Sequence, residues 1–137
     1  NYDDGVTASQ QSTRAVQGTG AAPATITISD GATYNFGSIA NGGSADKSFT
    51  IANTGGVSAT SLSGSGLAAP FSFKGGSFPG AGGTCTPILA ASSNCTVVVT
   101  FAPTVSGAQA DTLDISYNNG VSGGQISSRD VAGTGVT

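Results

Sequence analysis

The stretch CTVVVTFAPTVSG, residues 95–107, determines the fold class that this chain can adopt. Successive side chains of an extended strand alternate between its two faces, so Val97, Val99 and Phe101 share one fully apolar face. The opposite face is only half apolar, and Pro103, which has no N–H to donate to a neighbouring strand, ends the run. This pattern predicts a central strand of a β-sandwich.

Outside this stretch, further short segments show the alternation and the Gly-, Asn- and Asp-rich flanks of β-strands. Turn signals recur about every 8–12 residues and helical periodicity is absent, so we predict an all-β, immunoglobulin-like sandwich of about seven to eight strands. The inward faces predict a core in which Val97, Val99 and Phe101 meet Ile26, Ile28, Phe49, Ile51, Leu113 and Ile115. The predicted strands are residues 25–29, 34–37, 46–53, 57–63, 70–73, 95–101 and 111–117, with a last strand that contains Arg129.

The composition excludes several classes of partner. Charged residues make up 8% of the 137 positions, against roughly 25% in an average soluble domain. The basic residues stand far apart, whereas nucleic-acid binding needs clusters of Lys and Arg. No run approaches the roughly 18 apolar residues of a membrane-spanning helix. We therefore expect no nucleic-acid partner and no membrane span in these residues.

The two cysteines, Cys85 and Cys95, enclose a short loop that leads into the central strand. Two thiolates without a histidine or a second cysteine pair do not fill a tetrahedral zinc site, so half a metal site is the weaker interpretation. We predict a disulfide, which would fix the Gly-rich entry to the strand and indicates an oxidising compartment.

An internal repeat links the two ends of the chain. Residues 2–7 recur as residues 117–122 and residues 10–20 as residues 125–135, with a constant offset of 115 residues and no gap. Tyr, Gly-Val, Gln, Ser, Arg, Val and Gly-Thr-Gly match in register, which chance similarity of two Gly/Ser-rich turns does not explain. The offset has the size of one β-sandwich domain, so residues 1–20 are predicted to be the closing hairpin of a preceding unit and residues 21–137 one complete sandwich of a tandem repeat.

The predicted hairpin at residues 1–20 needs a sheet to complete, because an isolated two-stranded hairpin is at best marginally stable in water. It either closes the preceding unit of a longer polypeptide or adds to the sheet of a neighbouring copy, with Gln10, Ser12, Arg14 and Val16 in the inter-unit strand. Both alternatives predict head-to-tail contact between units or copies, and the short linker over residues 20–23 would keep successive sandwiches close.

The residue types needed for catalysis are missing. The chain has no His and no Glu, which excludes Ser/His/Asp and Cys/His catalysis and leaves acid–base work to scattered Asp residues, which are typical of turns and strand edges. Two of these Asp residues, in the turn at residues 3–5, suggest a calcium site as an alternative. The repeat of this turn at residues 118–120 has Asn in both places and lacks the negative charge that calcium needs. We predict no enzymatic activity, no cofactor and no metal. For Arg129 we favour a surface salt bridge, for instance with Asp111 or Asp114, over a contact with a ligand.

The chain also carries a series of short motifs in a fixed order. They are YNFGSI at 34–39, KSFTIANTG at 47–55, FSF at 71–73, Cys85 and Leu89, CTVVVTFAP at 95–103 with Gly107, LDISY at 113–117 and GTG at 133–135. In this order they resemble the bacterial choice-of-anchor D modules, which are related to the abnormal-spindle/hydin (ASH) class of immunoglobulin-like domains. The resemblance covers residues 24–135 and implies tandem arrays on large secreted or surface-anchored bacterial proteins, without enzymatic activity in the modules. The cytosolic ciliary branch of that class is disfavoured by the cysteine pair.

Two functions fit such a module. We favour a non-enzymatic structural repeat of a bacterial fibre, stalk or adhesin that is secreted or held at the cell surface and assembles head to tail. The alternative is an extracellular module that binds a glycan or a protein through the Gly-rich loop 75–84. Phe78 is the aromatic residue of that loop and the predicted contact for such a partner, since glycines and Pro79 surround it.

Overall fold

The structure, a computed structural model, describes residues 20–137. The predicted hairpin over residues 1–20, with Gln10, Ser12, Arg14 and Val16, therefore lies outside the described residues except for Gly20. In the described part, eight β-strands and one 3₁₀ turn follow one another. They are β1 (Ile26–Ile28), β2 (Thr33–Ala40), β3 (Ala45–Asn53), β4 (Thr60–Ser65), β5 (Phe71–Phe73), the 3₁₀ turn (Lys74–Gly76), β6 (Asn94–Phe101), β7 (Gly107–Asn118) and β8 (Gln125–Val136).

The strands form two four-stranded sheets. The first sheet has the order β1-β3-β6-β5, and the second has the order β2-β8-β7-β4. All neighbours are antiparallel except β2 and β8, which run parallel. The strand built from the opening stretch, β6, lies between β3 and β5, as predicted. An all-β, immunoglobulin-like sandwich is thereby confirmed.

The core lies between the two sheets and contains every residue predicted for it. Period-two alternation places one face of each strand inward, and all nine predicted positions are buried. Phe101 is at the centre: its ring stacks on that of Phe71 with centroids 4.8 Å apart and lies 5.7 Å from that of Phe36. Truncating this ring would therefore open a cavity beside the rings of Phe36 and Phe71.

Three strands differ from their predicted bounds by more than one residue because of contacts distant in sequence. The strand expected at 111–117 is β7, which begins at Gly107 because it pairs with β8 from that residue onward. The strand expected at 57–63 is β4, Thr60–Ser65, since the backbone before it is held in a turn by the side chain of Asn53. β2 is longer than the expected 34–37 because it pairs with β8 along its length, with a register shift after Asn35. Gly37 sits in this irregular stretch with φ 82°, which favours glycine.

The chain enters the sandwich at one end and leaves it at the other. We call the end formed by turns 54–57 and 118–124 the entry pole, because the Ala24 N–H donates there to the Asn119 carbonyl at 2.9 Å. β8 then runs from the entry pole for 12 residues, or about 36 Å, to the opposite end. We call that end, formed by residues 41–43, 102–106 and Val136, the exit pole.

Candidate inter-unit site

The hairpin of β7 and β8 forms the centre of the second sheet. β7 pairs with β4 and β8, and β8 pairs with β2, so the hairpin supplies the two central strands. The inward face of β8 ends in Val131, Gly133 and Gly135, all buried. A Cβ at Gly133 would lie 2.5 Å from the ring of Phe101, and one at Gly135 would lie 2.2 Å from the carbonyl oxygen of Val105. Both positions therefore require glycine, because a larger residue would clash with the Phe101 ring of the first sheet or with the loop between β6 and β7.

Two side chains of the hairpin also hold the edge strand of the other sheet. The Ile26 N–H donates to the Tyr117 hydroxyl at 3.3 Å. The Arg129 guanidinium donates from Nε to the Ser29 carbonyl at 3.0 Å and from Nη2 to the Ile28 carbonyl. These contacts join β1 to the hairpin across the edge of the sandwich, so Tyr117 and Arg129 lock the two sheets together.

The predicted salt bridge of Arg129 is therefore wrong. Asp111 accepts a hydrogen bond from the Ala68 N–H at 2.7 Å, and Asp114 accepts one from the Ser128 hydroxyl at 2.6 Å. Arg129 instead points inward from β8 toward the carbonyl groups of Ile28, the last residue of β1, and of Ser29, the residue that follows it. Sequence reasoning assigned Arg129 by charge alone, whereas the sandwich brings backbone acceptors to it.

The internal repeat follows the inward face of this hairpin. When residues 10–21 are aligned with β8, all six inward positions are identical and only one of the six outward positions is. Tyr2 likewise repeats Tyr117, and Gly5 repeats Gly120, where a Cβ would lie 2.9 Å from Val57. The inward pairs are Gln10/Gln125, Ser12/Ser127, Arg14/Arg129, Val16/Val131, Gly18/Gly133 and Gly20/Gly135. The two copies are thus identical at the positions whose side chains must fit the interior of a sandwich.

Asn53 organises the entry pole, a role that its predicted place at the end of the strand 46–53 did not reveal. Its side chain is 1% exposed. Its Oδ1 accepts hydrogen bonds from the Thr25 N–H at 3.2 Å and the Gly55 N–H at 3.0 Å. Its Nδ2 donates to the carbonyl oxygens of Val57 at 2.8 Å and Leu89 at 3.0 Å. One buried amide therefore ties the start of β1, the turn after β3 and the loop before β6.

A disulfide joins Cys85 to Cys95 at the start of β6. Both cysteines are buried, and the N–H groups of Thr84 and Cys85 donate to the Thr96 carbonyl at 3.0 and 3.1 Å. The covalent bond and the backbone pairing hold the loop after β5 on the edge of β6. The role of the disulfide in this geometry is to anchor a loop.

Phe78 packs on the sandwich more than its glycine-rich surroundings predict. Its side chain is half-buried, and its ring meets that of Phe73 edge to face at 5.8 Å. The next residue, Pro79, accepts a hydrogen bond from the Val98 N–H at 2.9 Å. Loop 75–84 thus covers the free edge of β6 beyond β5 and buries Val98 on the outer face of that strand.

Two surface ion pairs lie on the first sheet. Lys47 Nζ lies 3.1 Å from Asp30, and Lys74 Nζ lies 2.8 Å from Asp46. Hydrogen bonds from Ser29 and then Lys47 lower the pKa of Asp30 below its ordinary value. Hydrogen bonds from Lys74 and then Thr100 lower the pKa of Asp46 in the same way.

Residues 24–129 match the HYDIN/CFA65/VesB-like, Ig-like domain family. The chain belongs to this family. The resemblance to ASH-like immunoglobulin modules is thereby confirmed. No curated protein matches the chain significantly.

Several solved structures share the fold at low sequence identity. The ASH/PapD-like domain 7 of human CEP192 is 16% identical with a TM-score of 0.56, and the match covers 96% of each chain. The Vibrio cholerae VesB protease is 16% identical with a TM-score of 0.61, over 82% of this chain and 32% of the protease. The secreted serine protease VesC from Vibrio cholerae is 15% identical with a TM-score of 0.51, over 74% and 21% of the two chains. These proteases are much longer than the part that this chain matches.

The fold of this family is typically a binding or structural module and not a catalytic one, although proteases such as VesB carry a similar domain. Residues 20–137 contain no helix of the length and apolarity needed to cross a membrane.

Proposed function

We propose that this chain is part of a tandem array of immunoglobulin-like units in an extracellular bacterial fibre, stalk or adhesin. In this proposal residues 21–137 form one unit and residues 1–20 supply the closing hairpin of the unit before it. The units have a mechanical role and no catalytic one.

The observation that carries the proposal is the match between repeat identity and burial. All six inward positions of β8 are identical in the two copies, whereas five of the six outward positions differ. Chance similarity of two Gly/Ser-rich turns would not distinguish the two faces of a strand. Selection for packing would, because inward residues must fit a core and outward residues meet water.

Within one chain, the place of the closing hairpin is already occupied by β7 and β8. This favours successive units in a single polypeptide over the donation of a hairpin from one copy to another. β7 and β8 already occupy the centre of the second sheet, so a hairpin donated by another copy would have to displace them. We expect the full chain and a variant lacking residues 1–19 to be equally monomeric by light scattering. A larger particle formed only by the full chain would contradict this version and support strand lending.

An extracellular location is supported by the disulfide and by a relative. A disulfide persists in oxidising compartments and is rare in the cytosol of mesophiles. VesC, which shares the fold, is a secreted protein. Binding of a glycan or a protein through loop 75–84 is the weaker proposal, since Phe78 packs on Phe73.

A two-unit fusion tests whether residues 2–21 close a sandwich. Residues 22–116 are placed directly before residue 2 of the chain, so that Ser116 is followed by Tyr2 in place of Tyr117. We expect two protease-resistant units, a disulfide in each, and a calorimetric unfolding enthalpy about twice that of one unit, since this enthalpy scales with folded residues.

Adjacent substitutions in the fusion provide a matched pair. Val16→Asp places a charge at the equivalent of buried Val131 and should unfold only the added unit. Ala15→Asp introduces at the next position the residue that the second copy already has as Asp130, and both units should stay folded. Digestion of the added unit in the unsubstituted fusion, or equal effects of the two substitutions, would refute the proposed role of residues 1–20.

A further inference from the structure

We infer that consecutive units of the array touch end to end, with Val121 at the entry pole of one unit packed into an apolar cleft at the exit pole of the unit before it. This inference rests on the proposed function, because it requires a preceding unit of the same kind. It assigns a binding surface to each pole of the sandwich.

The junction between units is too short to separate them. Ala21 is the repeat equivalent of Val136, the last residue of β8, and Ala24 is already bonded to Asn119 of the following unit. The carbonyl of the intervening Ala22 accepts a hydrogen bond from the Gly56 N–H at 2.9 Å. An extended chain spans at most about 3.6 Å per residue, so residues 21–24 hold the two poles within about 11 Å.

The linker lies directly on the entry pole. A Cβ at Gly55 would lie 2.1 Å from the carbonyl oxygen of Pro23, and one at Gly56 would lie 3.2 Å from the Cβ of Ala21. The two glycines of this turn therefore let the linker approach the backbone closely. A unit attached through Ala21 must begin at this surface.

Val121 is presented beside the linker by a fixed turn. Its own N–H and that of Ser122 each donate to the Asn119 side chain at 2.9 Å, and the Asn119 carbonyl holds Ala24. The Val121 side chain is 78% exposed, yet the repeat retains it as Val6. Ile126, which is 63% exposed on the outer face of β8, is Gln11 in the other copy. Retention of the more exposed apolar residue indicates that the array covers it.

The exit pole offers a matching surface where the chain leaves the sandwich. A cleft of about 210 Å³ lies among Pro70, Ala102, Pro103 and Val105, and Val105 is 60% exposed. It adjoins the end of β8, since a Cβ at Gly135 would lie 2.9 Å from the Cβ of Pro103. Such a cleft suits a small aliphatic side chain.

Within residues 20–137, neither pole carries a charge that contact would have to desolvate. The turns of the entry pole read TGGV at 54–57 and NNGVSGG at 118–124, and those of the exit pole read NGG at 41–43 and APTVS at 102–106. Burying these uncharged surfaces against each other avoids the cost of removing ions from water. The exit pole of an identical unit is therefore a suitable occupant for the entry pole.

The two-unit fusion tests this contact by ¹⁵N NMR relaxation. In the unsubstituted fusion we expect both units to report one common rotational correlation time, as a single elongated body would. Val121→Ser in the second unit should abolish this coupling and give shorter, independent correlation times. Ile126→Ser in the same unit is the matched control and should leave the common correlation time unchanged.

A substitution on the facing surface identifies the partner. Val105→Ser in the added unit should produce the same loss of coupling, and the combination with Val121→Ser should add nothing, because both remove one contact. Independent tumbling of two folded units in the unsubstituted fusion would overturn this inference and leave the tandem array intact. Failure of the added unit to fold would instead refute the array itself.

Discussion

Replacing the Asn53 amide should cost more stability than any other single polar substitution at the entry pole. In Asn53→Ala, the N–H groups of Thr25 and Gly55 and the carbonyl of Val57 lose their partner. Leu89 keeps a second hydrogen bond, because its carbonyl also accepts from the Ala59 N–H at 2.9 Å. Three polar groups are thus left without the bond that Asn53 gave them.

The expected magnitude follows from burial. A buried donor or acceptor without a partner costs about 1–3 kcal/mol. The bond to Gly55 is fully buried, whereas those to Thr25 and Val57 are partly buried, so water can replace some of the loss. We expect Asn53→Ala to lower the free energy of unfolding by about 3–5 kcal/mol.

Urea unfolding followed by circular dichroism measures this difference, with Asn119→Ala as the control. Asn119 also accepts two backbone hydrogen bonds, but on an exposed turn where water replaces it, so we expect a loss of about 0.5–1 kcal/mol. Equal m-values would show that both variants unfold to the same extent. A difference below about 1 kcal/mol between the two variants would refute the argument that burial makes Asn53 the organising residue.

Three further predictions concern the hairpin, the disulfide and the surface charges. Gly133→Ala should destabilise the chain strongly, because the added methyl group would lie 2.5 Å from the Phe101 ring. Gly123→Ala should be nearly neutral, because the nearest atom to its methyl group would lie 3.7 Å away. Thermal unfolding compares the two variants, and equal shifts in Tm would contradict the packing assigned to β8. Reduction of the disulfide should lower the free energy of unfolding by about 2.5–3 kcal/mol, which urea unfolding with and without reductant measures. Alkylation of two thiols in the unreduced protein would disprove the bond. The pKa values of Asp30 and Asp46 are lowered from 3.8, so the stability that these carboxylates contribute should be present above that pH and lost as the pH falls through the lowered values. In the double variant Asp30→Asn, Asp46→Asn, the urea midpoint should fall less steeply with acid than in the unsubstituted chain. An equally steep fall in both proteins would contradict the assignment.

Most of the fold is predictable from the sequence because the decisive information is local. Alternation of apolar residues placed Val97, Val99 and Phe101 on an inward face, and each is fully buried. Pro103 marked the end of the strand that stops at Phe101, although the next strand begins at Gly107, four residues before its predicted start. The repeat also retains the inward residues of the closing hairpin, since side chains that fit one core recur where a second core is built.

The sequence by itself thus determined the alternation, the turns and the repeat, and only the tertiary structure decided which distant groups meet. Charge pairing suggested Asp111 or Asp114 for Arg129, but the sandwich brings the carbonyl groups of Ile28 and Ser29 to it. Glycines around Phe78 suggested exposure, but Phe73 lies within reach of its ring. Asn53 is one amide among several in turn motifs, and it becomes central because three separate segments converge on it. Periodicity is a property of neighbouring residues, whereas the partner of a polar or aromatic side chain is set by the packing of strands far apart in the chain.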